Sequence, residues 1–134
     1  MSAIHTIEVR TPSREALLDL SAQVQAAVRT SGVHTGLVCV YCPHTTVGIT
    51  VQENADPDVQ LDLLAHLATL VPSTTRFRHA EGNSDAHVKA SLVGTATTIP
   101  VDEGRALLGR WQGIYFCEFD GPRTRTVHIK VLAG

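Results

Sequence analysis

A chain of 134 residues with a 43% hydrophobic share has room for one core and not two. Its 11 Lys and Arg against 13 Asp and Glu leave a net charge of −2 with the basic residues scattered, which excludes the basic stripe that nucleic-acid binding needs. No apolar run reaches the ~20 residues of a membrane span, no charged-then-apolar export pattern opens the chain, and its three cysteines, an odd number, read as reduced thiols of a cytoplasmic protein.

Ile4 to Arg10 alternates well enough for a first strand. Thr11-Pro12-Ser13 then predicts the opening of a helix, with Thr11 or Ser13 as cap and Pro12 in the first turn. Leu17, Leu20, Val24, Ala27 and Val28 form its apolar stripe, Arg14, Asp19, Gln23 and Arg29 its wet side, and Ser31-Gly32 its end. Gly36 to Tyr41 is an unbroken apolar run between turn signals, which reads as a strand buried on both faces. Cys39 and Cys42 make a C-x-x-C along this strand without a second pair to complete a zinc site. Burial is the reading for Cys39 and Cys117, and a redox dithiol is the weaker alternative.

Cys42 to Asp62 concentrates polar chemistry. His44 stands beside Thr45 and Thr46, and Val47, Ile49 and Val51 alternate with Gly48, Thr50 and Gln52. A strand of that period holds His44 at one end and Glu53 at the other. It either pairs directly with the preceding strand or kinks away at Pro43. Asp56 caps a helix with Pro57 in its first position, and Leu63, Leu64, Leu67, Leu70 and Val71 recur at helical spacing until Pro72. Asp58 and Asp62 share a face and read as solvated. Glu53, at a strand end beside Asn54 and near a helix N-terminus, is the stronger candidate for chemistry.

After a loop at 72–75, the stretch His79-Ala80-Glu81-Gly82-Asn83-Ser84-Asp85-Ala86-His87 is equally polar. Gly82-Asn83 supplies a turn whose N–H groups suit an anion, and Ser84 or Asp85 caps a short helix carrying Val88 to Val93. His87 and Ser91, four apart, are neighbours on its surface. A face that met His44 and Glu53 would enclose a polar pocket. Thr95 to Val101 predicts a strand, Asp102-Glu103-Gly104 a turn, and Ile114 to Phe119 another strand. Asp120-Gly121-Pro122 reads as a hairpin turn into a last strand with Val127, Ile129 and Val131 facing the core; Arg123 and Arg125 after the turn have the chemistry to bind phosphate but on a hairpin read as solvated. The sum is a single α+β domain over 1–134, mostly antiparallel, of about six strands with two to three helices.

The succession His44-Thr45-Thr46, an apolar strand, Glu53-Asn54-Ala55-Asp56-Pro57, then Gly82-Asn83, Ala86-His87-Val88-Lys89-Ala90-Ser91-Leu92, Ile99-Pro100-Val101 and Trp111-Gln112-Gly113-Ile114-Tyr115 resembles the YjbQ family of secondary thiamine-phosphate synthase enzymes. The resemblance runs from about His44 to Lys130. Ala96 departs from a serine of the family signature, and Arg110 from a threonine common before the tryptophan. The resemblance implies a compact α+β fold, a homotrimer, and a weak ability to join a pyrimidine diphosphate and a thiazole phosphate into thiamine phosphate. It also implies a metal-associated pocket, carried here onto His44, His79 and His87.

That reaction asks for a site that holds a diphosphate as it leaves. Glu53 and His87 are the expected catalytic residues, and Asn54, Asp56, Gly82, Asn83, Lys89 and Ser91 are expected to bind the small phosphorylated substrate. Glu53 and Asp56 suit Mg²⁺, while Lys89, the Gly82-Asn83 turn and the short helix's N-terminus suit the remaining negative charge. Three histidines suit zinc better than magnesium, so a zinc hydrolase with Glu53 as general base is the alternative. A trimeric ligand-binding module without turnover is the third reading, with Trp111 a pocket wall rather than a packing or subunit-contact residue. His34, His66 and His128 read as structural or exposed.

Overall fold

In the computed structural model, residues 3–134 are described. The chain runs β1 (Ile4–Arg10), β2 (Ala16–Asp19), α1 (Ser21–Ser31), β3 (Gly36–Tyr41), β4 (Val47–Glu53), α2 (Pro57–Leu70), α3 (Ser84–Val93), β5 (Ala96–Asp102), β6 (Arg105–Ala106), β7 (Gln112–Glu118) and β8 (Thr124–Ala133). Two antiparallel sheets result, one in the order β1-β8-β3-β5-β6 and one in the order β2-β7-β4. Val38, Val40, Val127, Ile129 and Val131 from the first sheet meet Val47, Ile49, Ile114 and Phe116 from the second, and Val24, Ala27 and Val28 of α1 complete this core. Alternation along β4 and β8 is what puts these side chains on one face.

The structure changes several sequence expectations, each for a physical reason. Among the described residues the strands number eight, against about six expected. Residues 13–19 are not the first turns of a helix: Leu17 and Leu18 pair with Cys117 and Phe116 as β2, and α1 begins only at Ser21. Thr11 is no helix cap, because its hydroxyl donates to Glu118 Oε1 and accepts from the Arg123 N–H. β3 is buried on one face only, with Leu37 and Tyr41 exposed on the other. The chain kinks between β3 and β4, which lie in different sheets. Asp120-Gly121-Pro122, with a cis Gly-Pro bond, is likewise a crossover between sheets and not a hairpin.

α2 matches its prediction: Asp56 Oδ1 accepts from the Asp58 N–H, Pro57 takes the first turn, and Asp58 and Asp62 are exposed. No residue of α2 is fully buried, and Leu64 and Leu67 only lean on the small cluster of Ala86, Ala90, Cys117 and Phe119 that seats α3. α3 crosses β4 at close range. A Cβ on Gly48 would stand 2.6 Å from Val93 Cγ1, and the Ile49 N–H donates to Gly94 O at 2.9 Å. Neither Ser84 nor Asp85 caps α3, since Asn83 holds the cap position without a side-chain bond. Asp85 is buried instead between Arg14 and Lys89, at 3.0 and 3.2 Å.

Candidate functional site

The crossover at Pro43 leaves His44, Thr45 and Thr46 at the mouth of β4, and the crossover at Pro122 brings Arg123 and Arg125 beside them. The loop before α3 and its first turns supply His79, Glu81, Asn83 and His87. Together with Asp120 these residues line a cavity of about 390 Å³. An adjoining hollow of about 570 Å³ shares His44, Thr45 and His87 and adds Ser91 and Thr95. His44, His79 and His87 therefore line one cavity, but Glu53, expected on the same pocket as His44 and His87, does not.

Its floor is a buried ion pair. Arg125 Nε donates to Glu118 Oε1 at 2.8 Å, and Nη2 donates to Glu118 Oε2 and to Thr46 Oγ1. Glu118 also accepts from the Thr11 hydroxyl and the Asp120 N–H, so both its oxygens are saturated. Burial alone would raise the Glu118 carboxyl. The hydrogen bonds from Arg125, Asp120 and Thr11 outweigh it and hold the group below its ordinary value. Arg125, expected in solvent, is thus 5% exposed.

On the wall above, the Thr126 N–H donates to His44 Nε2 at 2.9 Å. Burial, then the charge of Arg125, pushes the His44 imidazole below its ordinary value, toward the neutral ring that this bond requires. His79 and His87 meet edge to face with ring centres 5.4 Å apart, and Glu81 Oε2 lies 3.8 Å from His79 Nε2. Asn83 Nδ2 donates to Asp120 Oδ2, which also accepts from Arg123 Nη2, while Asn83 Oδ1 is buried without a donor.

Among the described residues no three His, Cys, Asp or Glu side chains converge tightly enough to hold a metal ion. The expected set of His44, His79 and His87 fits one poorly, since His44 spends its Nε2 lone pair on Thr126.

Other expected residues are placed elsewhere. Lys89 is 1% exposed and its Nζ donates to Glu15 at 2.9 Å and Asp85 at 3.2 Å, so it anchors α3 internally and does not line the cavity. Ser91 Oγ donates to His87 O at 2.9 Å, on the adjoining hollow. Gly82 turns the loop with φ +77. Glu53 ends β4 and Asn54 and Asp56 lie just past it, so the whole strand of 7 residues, about 20 Å long at ~3.4 Å per residue, separates them from His44. There Asn54 bonds the Trp111 and Gln112 carbonyls, and Trp111 is 55% exposed with the Arg110 guanidinium 5.0 Å from its ring centre. Within one chain Glu53 and His87 do not meet. The cysteines are free, and burial pushes the Cys42 thiol up and the Cys117 thiol to about 12.

Sequence reasoning missed Glu118 and Asp120, and set Arg123 and Arg125 aside as solvated. Glu118 interrupts the apolar run from Ile114 to Phe119, which is the one signal it left; the arginines reach the cavity only through the crossover at Pro122.

The family described as "UPF0047 protein YjbQ-like" matches residues 5–134. UPF0047 protein YugU of Bacillus subtilis is 47% identical over 130 residues, which cover 96% of this chain and 98% of the relative. A UPF0047 protein of Methanocaldococcus jannaschii is 48% identical over 125 residues, covering 93% and 91%. A crystal structure of a YjbQ/UPF0047-family protein from Clostridium acetobutylicum superposes with a TM-score of 0.94 at 47% identity, covering 96% of this chain and 99% of that one. A YbjQ-like protein of unknown function from Sulfolobus solfataricus reaches 0.96 at 28% identity, covering 100% and 99%. With the family signature spanning both ends of β4 and the same fold in its relatives, the chain belongs to the UPF0047, YjbQ-like family.

Proposed function

We propose that the cavity binds the phosphoryl end of a small phosphorylated molecule, and that the chain has the weak thiamine-phosphate synthase activity its resemblance implies. The observation that carries the reading is convergence: His44, His79 and His87, from three separate segments, face one cavity with buried Arg125. In the reaction the thiazole nitrogen attacks the pyrimidine methylene carbon as the C–O bond to diphosphate breaks, and the bonding pair leaves with pyrophosphate. Two adjoining hollows suit two substrates, and His87, common to both, would steady the departing oxygen. Arg123, with its guanidinium half-exposed, would follow the leaving group.

A divalent ion, magnesium or zinc, is part of the proposal. To hold it, His79, His87 and Glu81 would have to draw closer together than they stand, and the ion would supply positive charge to the diphosphate. Glu53, Asn54 and Asp56 join the same site only where two copies meet, which the proposed homotrimer allows. The test is thiamine phosphate formation by metal-stripped protein with Mg²⁺ or Zn²⁺ restored. Product that depends on the metal and disappears in His87→Ala supports the reading, and no product with either metal overturns it.

A further inference from the structure

We infer that His44 serves this cavity as a hydrogen-bond donor, presenting Nδ1–H to a phosphate oxygen, and not as a metal ligand. The inference deepens the phosphate-binding reading above and rests on it. It starts from the backbone. A neutral imidazole has one N–H and one ring lone pair. The Thr126 N–H occupies the lone pair of His44 at Nε2, 2.9 Å away. The proton must then sit on Nδ1, and no lone pair is left for a metal. Turning the ring over would set a carbon against the Thr126 N–H and orphan that donor. Thr126 is itself held in β8 opposite Glu8 of β1, so the lock is part of the sheet.

Nδ1 has no acceptor among the described residues, nor is it among the buried unpaired atoms, so it is open to solvent on a residue that lines the cavity and the adjoining hollow. The neighbouring groups are donors as well. Arg125 uses Nε and Nη2 internally, and Nη1 takes part in no bond among the described residues. Thr46 Oγ1 accepts from Arg125 and keeps its own proton to give. The carboxylates on the cavity do not answer these donors. Asp120 Oδ2 is already occupied by Asn83 and Arg123, and the Glu81 side chain is 72% exposed beside His79. A cluster of donors around an opening selects a ligand with several acceptor oxygens. Glu118 and Asp120 neutralise Arg125 and Arg123, so the grip is directional rather than a matter of net charge. The three histidines therefore divide, with His44 on the oxyanion and His79 and His87 left for other chemistry.

Inorganic phosphate binding by calorimetry, Zn²⁺ binding by chelator competition, and imidazole ¹⁵N resonances test this on the intact protein, with His44→Ala and His44→Asn as variants. Asn places an amide N–H near the position of Nδ1 and controls for folding. The expected result is a protonated Nδ1 and unprotonated Nε2 in the unmodified protein. Phosphate affinity should fall about tenfold in His44→Ala, the loss of one hydrogen bond to a charged group, and recover in part in His44→Asn, with Zn²⁺ affinity unchanged in both. A proton on Nε2, or a His44→Ala variant that loses Zn²⁺ while binding phosphate as before, would overturn the assignment alone. No phosphate binding by the unmodified protein would overturn the cavity reading and this inference with it.

Discussion

Arg125 and Glu118 face each other inside the protein with side-chain exposures of 6% and 0%, and Thr46 on the cavity wall hangs from the same guanidinium. The pair fixes the floor on which His44 and the Pro122 crossover rest. Removing one partner leaves the other charge buried and unanswered. Glu118→Ala is therefore expected to destabilise the chain by about 3–5 kcal/mol, read as a fall in urea midpoint with little change in slope. A loss below ~1 kcal/mol would show that the pair is not what holds the floor.

Acid should weaken the fold in two stages. His44, Glu118 and Asp85 all sit below their ordinary values in the folded chain. For Glu118 and Asp85 burial works the other way and is outweighed, by Arg125 in one case and by Arg14 and Lys89 in the other. A group depressed in this way stabilises above its unfolded value and loses that contribution as pH falls through its folded value. Stability should thus begin to drop below the ordinary histidine value of 6.5 and drop again below the ordinary carboxylate values of 4.5 and 3.8. Chemical denaturation across that range checks the order, and His44→Asn should erase the first stage only.

Lys89 separates an anchoring role from a substrate-binding one. With its ammonium between Glu15 and Asp85, Lys89→Met is expected to cost a few kcal/mol in stability, because Asp85 keeps only Arg14. Phosphate affinity of the remaining folded protein should hold. A variant of full stability that no longer binds phosphate would return Lys89 to the ligand.

Gly48 sets the distance between β4 and α3. A Cβ there would press on Val93 at 2.6 Å and Gly94 O at 3.1 Å, so Gly48→Ala should cost about 1–3 kcal/mol and shift the helix that carries His87. Thermal denaturation gives the first quantity, and His87 ring resonances report the second.

The proposal joins Glu53 and His87 in one site only across copies. Glu53→Ala and His87→Ala, each inactive in thiamine phosphate formation, should regain part of the activity when unfolded together and refolded as mixed assemblies. Absence of recovery, or a monomer mass in solution scattering, would remove Glu53 from the His87 site.

Much of the fold is legible in the sequence because local rules were not overridden. β4 alternates cleanly, α2 carries Asp56 and Pro57 where a helix start needs them, and β8 buries every second residue. β2 is not legible: Leu17 and Leu20 suit a helical stripe as well as a strand, and only the edge of β7 decides for the strand. The histidines of the cavity could be picked out singly, but Arg125 could not, since what buries it is Glu118 across a crossover between sheets. Glu53 misled for the opposite reason. It lies close to His44 in sequence, and an extended strand is the longest way to connect them.

The most direct test of the central claim is a pyrophosphate binding isotherm on the unmodified protein, Arg123→Ala and His87→Ala, each checked for native stability. The account predicts one binding event per cavity and affinity lowered about tenfold or more in each variant, as expected for losing a charge-assisted contact. Binding left unchanged by both substitutions would place the phosphoryl group elsewhere and contradict the account.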